Sequence, residues 1–176
     1  IVGSHITRYD SMLMLSHFKG HMMAGFGGAL KNMSIGVASS AGKAWIHTAG
    51  MTDKPAELWG YVDNQDGFLE SMAEADEAVI NHFGTENMAY INVANKISID
   101  CDCDANPHEP EIADIGIFAS LDPVAVDKAC LDAVYNLDDP KKASLINRIE
   151  ERHGIHTVEA AEELGLGTTN YEIIEI

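Results

Sequence analysis

Apolar and polar positions follow two different periods along this chain, and its segments alternate between them. Residues 11–18 form an apolar run of strand length, which predicts a strand buried on both faces of a sheet. The same reasoning predicts strands over 87–99, 112–120 and 171–176, of which 112–120 is also buried and 171–176 closes the fold. The clearest apolar stripe at helical spacing runs through residues 66–83 and predicts a helix there.

Capping residues and glycines mark the ends of the helices. Asp122 is a good N-cap, and Pro123 follows it in the first turn, where proline is tolerated. Residues 34–50 are small and apolar, and we expect a loop with one helical turn there. The other predicted helices cover residues 28–33, 122–137, 141–153 and 157–164. Strands that alternate with helices predict an α/β fold, a layered mixed or mostly parallel sheet flanked by helices, in a single domain over residues 1–176.

The charge of the chain narrows the choice of partners. Its 28 acidic and 11 basic residues give a net charge of -17, which disfavours binding to nucleic acid or to an anionic membrane surface. No apolar run approaches the ~20 residues that span a bilayer, so we expect neither nucleic acid nor a membrane as a partner. Three cysteines do not make a disulfide scaffold, and the reducing cytoplasm is the expected location.

The first residues, Ile1-Val2-Gly3, include no methionine and are typical of the interior of a longer protein. We therefore expect this chain to be the C-terminal part of a longer protein. The preceding segment would complete the fold and is itself a candidate partner. An edge left exposed in this way favours pairing with another chain, so a homo-oligomer is a further expectation.

The most informative motif is the run Asp-Cys-Asp-Cys-Asp at residues 100–104. Cys101 and Cys103 are too close in sequence for an unstrained disulfide with each other. The carboxylates around them disfavour the thiolate form, unless a cation reverses the local field. The motif therefore favours a metal site. The alternative is a polar surface turn with two incidental thiols.

Histidines supply the remaining candidate ligands. His17 and His21 are four residues apart and, together with Cys101 and Cys103, would make a set of two nitrogen and two sulfur ligands suited to zinc or iron. The alternative for either histidine is a buried residue held by hydrogen bonds. His47 is a further candidate, as a ligand or as a general base. In α/β sheets, ligands bind beyond the C-terminal ends of strands, where these histidines and thiols are predicted to lie.

Residues 19–31 hold four glycines and predict a loop that admits an anion, because small residues let backbone N–H groups approach a phosphate. The spacing fits neither a P-loop nor a dinucleotide-binding fingerprint. A close crossing of two backbone segments explains the glycines equally well. The candidate anion-binding residues are Gly27, Gly28, Lys31, Asn32 and Lys43.

Several of these strings together resemble domain-of-unknown-function family 362. They are LSHFKGH at 15–21, AGFGGALKN at 24–32, GK at 42–43, His47, CDC at 101–103, DIGI at 114–117 and SLDPVAVD at 120–127. The resemblance implies the C-terminal portion of that family. Many members carry a ferredoxin-like insert with two cysteine-rich cluster motifs, and it would fall after His47. Residues 49–65 stand at that place and contain no cysteine, and three cysteines cannot supply the four thiolates of even one [4Fe–4S] cluster, so we expect none within this chain.

The resemblance implies a role in metal binding or electron transfer and leaves two hypotheses open. In the first, the protein is a metal-dependent redox enzyme or electron-transfer component that holds iron or zinc and receives electrons from a separate ferredoxin-like protein. His47 and Lys19 would then be its catalytic residues. In the second, it is a non-catalytic module that a metal stabilises and that binds a partner. An open coordination position on the metal favours the first hypothesis, and a closed four-ligand site favours the second.

Overall fold

A computed structural model describes all 176 residues. In chain order, the strands are β1 (Met12–His17), β2 (Lys19–His21), β3 (Gly25–Gly27), β4 (Met88–Ala94) and β5 (Gly116–Ser120). The α-helices are α1 (Ala29–Val37), α2 (Ser40–His47), α3 (Gln65–Phe83), α4 (Pro123–Asn136), α5 (Lys142–Glu151) and α6 (His156–Glu163). Short 3-10 helices cover Ile6–Arg8, Pro55–Gly60 and Thr85–Asn87.

The main sheet has the order β1-β4-β5. β1 runs parallel to β4, whereas β5 runs antiparallel to β4, so the sheet is mixed. β2 and β3 form a separate antiparallel pair that follows β1 directly in the chain. Helices pack against the sheet, and the predicted α/β fold with a mixed sheet is confirmed.

Local signals place most of the helices. The Asp122 side chain accepts hydrogen bonds from the N–H groups of Val124 and Ala125 and starts α4 as predicted. α3 begins one residue earlier than expected, because Asn64 caps it, and it ends at Gly84, whose φ is 78°.

The predicted loop over 34–50 is wrong, since α1 extends to Val37 and α2 follows it. The Ser39 side chain caps α2 by accepting a hydrogen bond from the Gly42 N–H. Small residues in this segment allow close packing: a Cβ on Gly42 would lie 1.9 Å from the carbonyl oxygen of Ile1. Small apolar residues were therefore a sign of tight helix packing and not of a loop.

The main sheet is covered on one face only. On the inner face, Met14 and Tyr90 pack against α1, α3 and α4 in a common apolar cluster. On the outer face, Leu13, Leu15 and Ile117 are 58%, 61% and 71% exposed. The predictions of a first strand buried on both faces and of a second buried strand over 112–120 are therefore wrong, because the helices that contact these strands all lie on the inner side.

The predicted closing strand over 171–176 is also wrong. This segment lies beside β5, and the two line a cavity of about 480 Å³. None of its backbone N–H or C=O groups bonds to another backbone group, so it adds no strand to the sheet. Its isoleucines at 173, 174 and 176 are exposed, and its anchor is the Tyr171 hydroxyl, which donates to Asp132 at 2.8 Å. No helix of this fold combines the length and the apolar character that a membrane span needs.

Two carboxyl groups are wholly buried in the core, Asp76 on α3 and Asp127 on α4. Asp127 is fully engaged, since it accepts hydrogen bonds from the Ala29 and Leu30 N–H groups and from the Asn92 amide. Neither carboxyl oxygen of Asp76 has a hydrogen-bond partner. The buried carboxyl of Asp127 thus has its hydrogen bonds satisfied, whereas that of Asp76 does not.

Candidate metal centre and adjoining cleft

Two short segments bring an imidazole and two thiols together. β2 carries His21, and the loop after β4 carries Cys101 and Cys103. One ring nitrogen of His21 and the two sulfur atoms all lie within 4.8 Å of one another, and the Nε2–Sγ distance to Cys103 is 3.9 Å. His21 and Cys101 are buried, whereas Cys103 is exposed. The structure thus groups three of the four residues predicted as metal ligands.

Gly20 allows the cysteine loop to approach β2. A Cβ at this position would lie 2.1 Å from the carbonyl oxygen of Ile99, far inside van der Waals contact. The Gly20 N–H donates to the carbonyl oxygen of Ser98 at 2.8 Å and fixes the approach. Any side chain at residue 20 would push Cys101 away from His21. A glycine between Lys19 and His21 is the signal of this approach in the sequence, but Gly20 is one of four glycines in the segment and nothing in the sequence distinguishes it from the others.

Asp100 fixes the loop from its other side. Its carboxylate accepts hydrogen bonds from the backbone N–H and ring of His108, and from Arg148 of α5 at 3.4 Å. These contacts, with the His108 ring as the largest contributor, hold the pKa of Asp100 below its usual range. The residue before Cys101 is therefore anchored as an ion pair. Sequence reasoning missed this anchor because Arg148 lies far away in the chain.

The hydrogen bonds of His21 decide which ring nitrogen carries the proton. Nδ1 accepts from the N–H groups of Met23 at 3.1 Å and Ala24 at 3.0 Å. In the neutral ring, the proton therefore lies on Nε2, which points toward the sulfur of Cys103. Burial, followed by the charge of Lys31, lowers the pKa of His21 to about 3, so the ring is neutral at physiological pH.

The groups around the thiols act on the pKa of Cys103 in opposite directions. Lys31 approaches Cys101, with Nζ 3.8 Å from Sγ. Burial raises the pKa of the Cys103 thiol, and the hydrogen bond with Cys101 and its charge raise it further, while Lys31 opposes them. The sulfur of Cys101 thus disfavours the thiolate form of Cys103, since two thiolates side by side repel. A cation bound between the two sulfurs would reduce that repulsion.

His17, the fourth residue predicted as a ligand, lies outside this group. Its Nδ1 is 3.0 Å from Asp102 Oδ2, and its Nε2 is 2.8 Å from the carbonyl oxygen of Asn95. Both ring nitrogens face acceptors, so neither is directed at the thiols. Lys19, predicted as catalytic, pairs with the same carboxylate at 2.9 Å. Burial opposes ionisation of Asp102, but the hydrogen bonds from Lys19 and His17 outweigh it and keep the pKa below its usual range.

His47 lies beside the centre, and Lys43 lies outside it. The ring of His47 stacks on Phe68 with centroids 5.0 Å apart, and its Nδ1 donates to the Lys43 carbonyl oxygen at 2.7 Å. Burial lowers the pKa of His47, and its charge would disfavour a charge on His21. The Lys43 side chain is exposed. His47 is thus positioned as a neutral neighbour of the centre.

The N-terminus of α1, where the glycine-rich segment predicted an anion, is filled by a carboxylate of the protein itself. Asp127 accepts from the first N–H groups of the helix, and a Cβ on Gly28 would lie 2.3 Å from its Oδ1. Gly28 is therefore needed for the approach of Asp127. The amide of Asn32, also predicted to bind the anion, donates to the Leu15 carbonyl oxygen and the Ser16 hydroxyl. It ties α1 to β1.

A cleft of about 290 Å³ opens next to the thiols. Its lining is polar except for one leucine, and it brings together several predicted residues from β1, β2 and α1. The lining residues are Leu15, Ser16, His17, Lys19, Gly27, Gly28, Lys31, Asn32 and Asp102. Lys31 joins the cleft to the thiol group, since its ammonium also contacts Cys101.

Comparison with known proteins gives one match. The model of the family described as Domain of unknown function (DUF362) matches residues 1–132. Neither the curated proteins nor the solved structures yield a match. The matched range includes β1 to β5, the three grouped residues and the whole lining of the cleft. Because the match covers about three quarters of its length, the chain belongs to the DUF362 family.

Proposed function

We propose that this protein binds one iron or zinc ion through His21, Cys101 and Cys103 and leaves a coordination position open. The observation that carries the proposal is the grouping of three donor atoms within 4.8 Å. Tetrahedral zinc with sulfur ligands at about 2.3 Å would hold the two sulfurs roughly 3.8 Å apart, so a small contraction brings the donors to binding distance. His21 would also have to move its proton from Nε2 to Nδ1 and give up the bonds from Met23 and Ala24. Two thiolates and one imidazole suit zinc or iron better than magnesium or calcium.

Three protein ligands favour the first of the two hypotheses, a centre that acts on a ligand. A closed structural zinc site has four protein ligands, and the structure supplies three in the group. The exposure of Cys103 supports an open position at the surface, and its neighbour Asp102 lines the adjoining cleft. Iron at this site would serve in redox chemistry or electron transfer, with electrons supplied by a separate ferredoxin-like protein. Zinc would instead act as a Lewis acid.

The metal proposal predicts a stoichiometric metal that depends on both thiols. Protein purified without chelator under anaerobic conditions should contain about one iron or zinc per chain by elemental analysis. The double variant Cys101→Ser/Cys103→Ser should contain almost none, because serine hydroxyls are poor ligands for these metals. His21→Ala should bind the same metal at least 100-fold more weakly.

The third cysteine provides the matched control. Cys130 lies in the core on α4, away from the group, so Cys130→Ala should retain the full metal content. Cobalt(II) bound in place of the native metal should show thiolate charge-transfer absorption that the double variant lacks. Equal metal content in the wild type and in the double variant would refute the proposed ligands.

The hydrogen bonds of His21 favour a second candidate, a redox-active dithiol without metal. Nε2 carries its proton toward Cys103, as in a histidine that stabilises a thiolate. Metal binding through Nε2 would require that proton to move and the bonds from Met23 and Ala24 to break. In the dithiol function, Cys101 and Cys103 would form a strained, oxidising disulfide, which would accept two electrons and two protons from a partner dithiol and leave that partner as a disulfide. Metal-free protein that cycles reversibly between two and no titratable thiols in this pair would support it.

A further inference from the structure

We infer that the cleft beside the thiols binds the phosphate group of a small molecule between Lys19 and Lys31. The inference concerns a different set of residues from the proposed metal ligands and does not require a metal. It rests on the geometry of the two lysines, on the balance of charge in the cleft and on the contacts of Asp102 with Lys19 and His17.

The side chains of Lys19 and Lys31 both lie next to Gly27. A Cβ on Gly27 would lie 3.6 Å from Cε of Lys19 and 3.8 Å from Cδ of Lys31, so both side chains run close past this residue. Gly27 lies opposite Lys19 in the β2–β3 pair, and Lys31 lies in the first turns of α1. Two different elements thus aim two ammonium groups into one cleft of about 290 Å³.

The cleft carries more positive than negative charge, in a protein whose net charge is -17. Lys31 has no carboxylate within 4.0 Å, and its one polar contact is the Cys101 thiol. Lys19 is only 13% exposed and pairs with Asp102 alone. The cleft therefore holds two ammonium groups and one carboxylate, which pairs with Lys19 and not with Lys31. A partly buried cation without an anionic partner is costly, and an anionic ligand would remove that cost.

The Asp102 carboxylate occupies the position that we infer for the phosphate. This carboxylate already contacts Lys19 and His17, yet it is 62% exposed and can turn into solvent at little cost. A ligand phosphate in its place would take over the hydrogen bonds from both residues and would also reach Lys31. Lysines bind phosphate as point charges, whereas planar carboxylates are typically bound by the arginine fork, and no arginine lines the cleft.

Titration of inorganic phosphate into the reduced, metal-free 176-residue chain at low ionic strength tests the inference. Calorimetry should show one saturable site per chain. Lys31→Gln should weaken binding at least tenfold, because it removes the unpaired ammonium. Asp102→Asn should tighten binding about threefold, because it removes the competing carboxylate. Lys54→Gln, the same charge change at an exposed residue that precedes the 3-10 helix Pro55–Gly60 and lies outside the cleft, should bind as the wild type does.

The two variants are expected to change phosphate affinity in opposite directions, which distinguishes an effect on binding from an effect on folding. A general loss of structure would weaken binding in both Lys31→Gln and Asp102→Asn, but only the inferred site predicts tighter binding in the second. The inference is overturned if phosphate shows no saturable site, if Lys31→Gln binds like the wild type, or if acetate binds as tightly as phosphate. Since every titration is done without metal, a failure of the proposed metal site would leave these outcomes unaffected.

Discussion

Replacement of Asp127 by alanine is expected to lower the free energy of unfolding by about 3 kcal/mol at pH 7. The carboxylate accepts hydrogen bonds from Ala29 N–H at 2.6 Å, Leu30 N–H at 3.0 Å and the Asn92 amide at 2.7 Å. Alanine would leave these donors buried without an acceptor, and each costs on the order of 1 kcal/mol or more. Urea unfolding followed by circular dichroism measures the change.

Asp122→Ala is the matched control for this prediction. Asp122 also accepts from three backbone N–H groups, those of Val124, Ala125 and Thr168. It lies at a partly exposed helix start, where water can replace the carboxylate, so its loss should cost only about 1 kcal/mol. Equal losses in the two variants would show that burial adds nothing to the role of Asp127.

Asp127 also makes stability depend on pH, with a definite sign. Burial raises the pKa of this carboxyl to about 6, although its three hydrogen bonds oppose the shift. The unfolded chain releases the proton near pH 4, whereas the folded chain keeps it until about pH 6. The stability that this group contributes below pH 4 is therefore lost between pH 4 and pH 6. The difference in free energy of unfolding between the wild type and Asp127→Ala should decrease as the pH rises from 4 to 6.

Asp127 has a functional consequence because it positions the start of α1. That helix carries Lys31, whose ammonium lies between the thiol group and the cleft. The carboxylate approaches through the space left by Gly28. The glycine pair at 27–28 thus serves two purposes, since one member admits Asp127 and the other forms the floor of the cleft.

Patterns within a single element were enough to predict most of the fold. The apolar stripe of α3 and the Asp-Pro start of α4 depend on residues a few positions apart, and both helices form where the sequence predicts them. The first strand was also placed correctly, but its exposure was not. Leu13 and Leu15 are apolar whether or not a second layer covers them, and only the arrangement of the helices shows that this face is open.

The candidate site could be predicted only in part, because its members meet through long-range contacts. The spacing of Cys101 and Cys103 and the carboxylates around them predict these two ligands, and the four-residue separation from His17 predicts His21. His17 is of the same residue type as His21 and only four residues away, yet Asp102 and Asn95 occupy both of its nitrogens. Nothing in the local pattern distinguishes the two histidines; the partners that do so come from the loop after β4.

Asp76 presents the reverse of Asp127, a buried carboxyl with no partner. Burial, followed by the charge of Asp127, raises the pKa of Asp76 well above its usual range. Both oxygens lack hydrogen-bond partners, so no contact compensates for the lost hydration. The folded protein therefore holds this carboxyl in its protonated form, whereas the unfolded chain ionises it above about pH 4.

Asp76→Asn is expected to stabilise the protein increasingly as the pH rises. Asparagine has nearly the same shape as the protonated acid and does not ionise, so the two proteins should be about equally stable below pH 4. Above that pH, ionisation favours only the unfolded wild type. The advantage of the variant should grow by about 1.4 kcal/mol per pH unit for as long as the folded carboxyl keeps its proton. Urea unfolding at pH 4, 5, 6 and 7 measures this slope.

The matched control is Glu74→Gln, which removes a carboxylate from the exposed face of the same helix, α3. It should change the free energy of unfolding by less than about 0.5 kcal/mol at every pH. Parallel pH profiles for the wild type and Asp76→Asn would mean that Asp76 ionises alike in both states, which would contradict a buried and unpartnered carboxyl. A difference from the wild type that grows with pH in Asp76→Asn alone would show that the buried acid on α3 lowers the stability of the protein. A buried position of this kind is ordinarily occupied by an apolar residue such as leucine or valine.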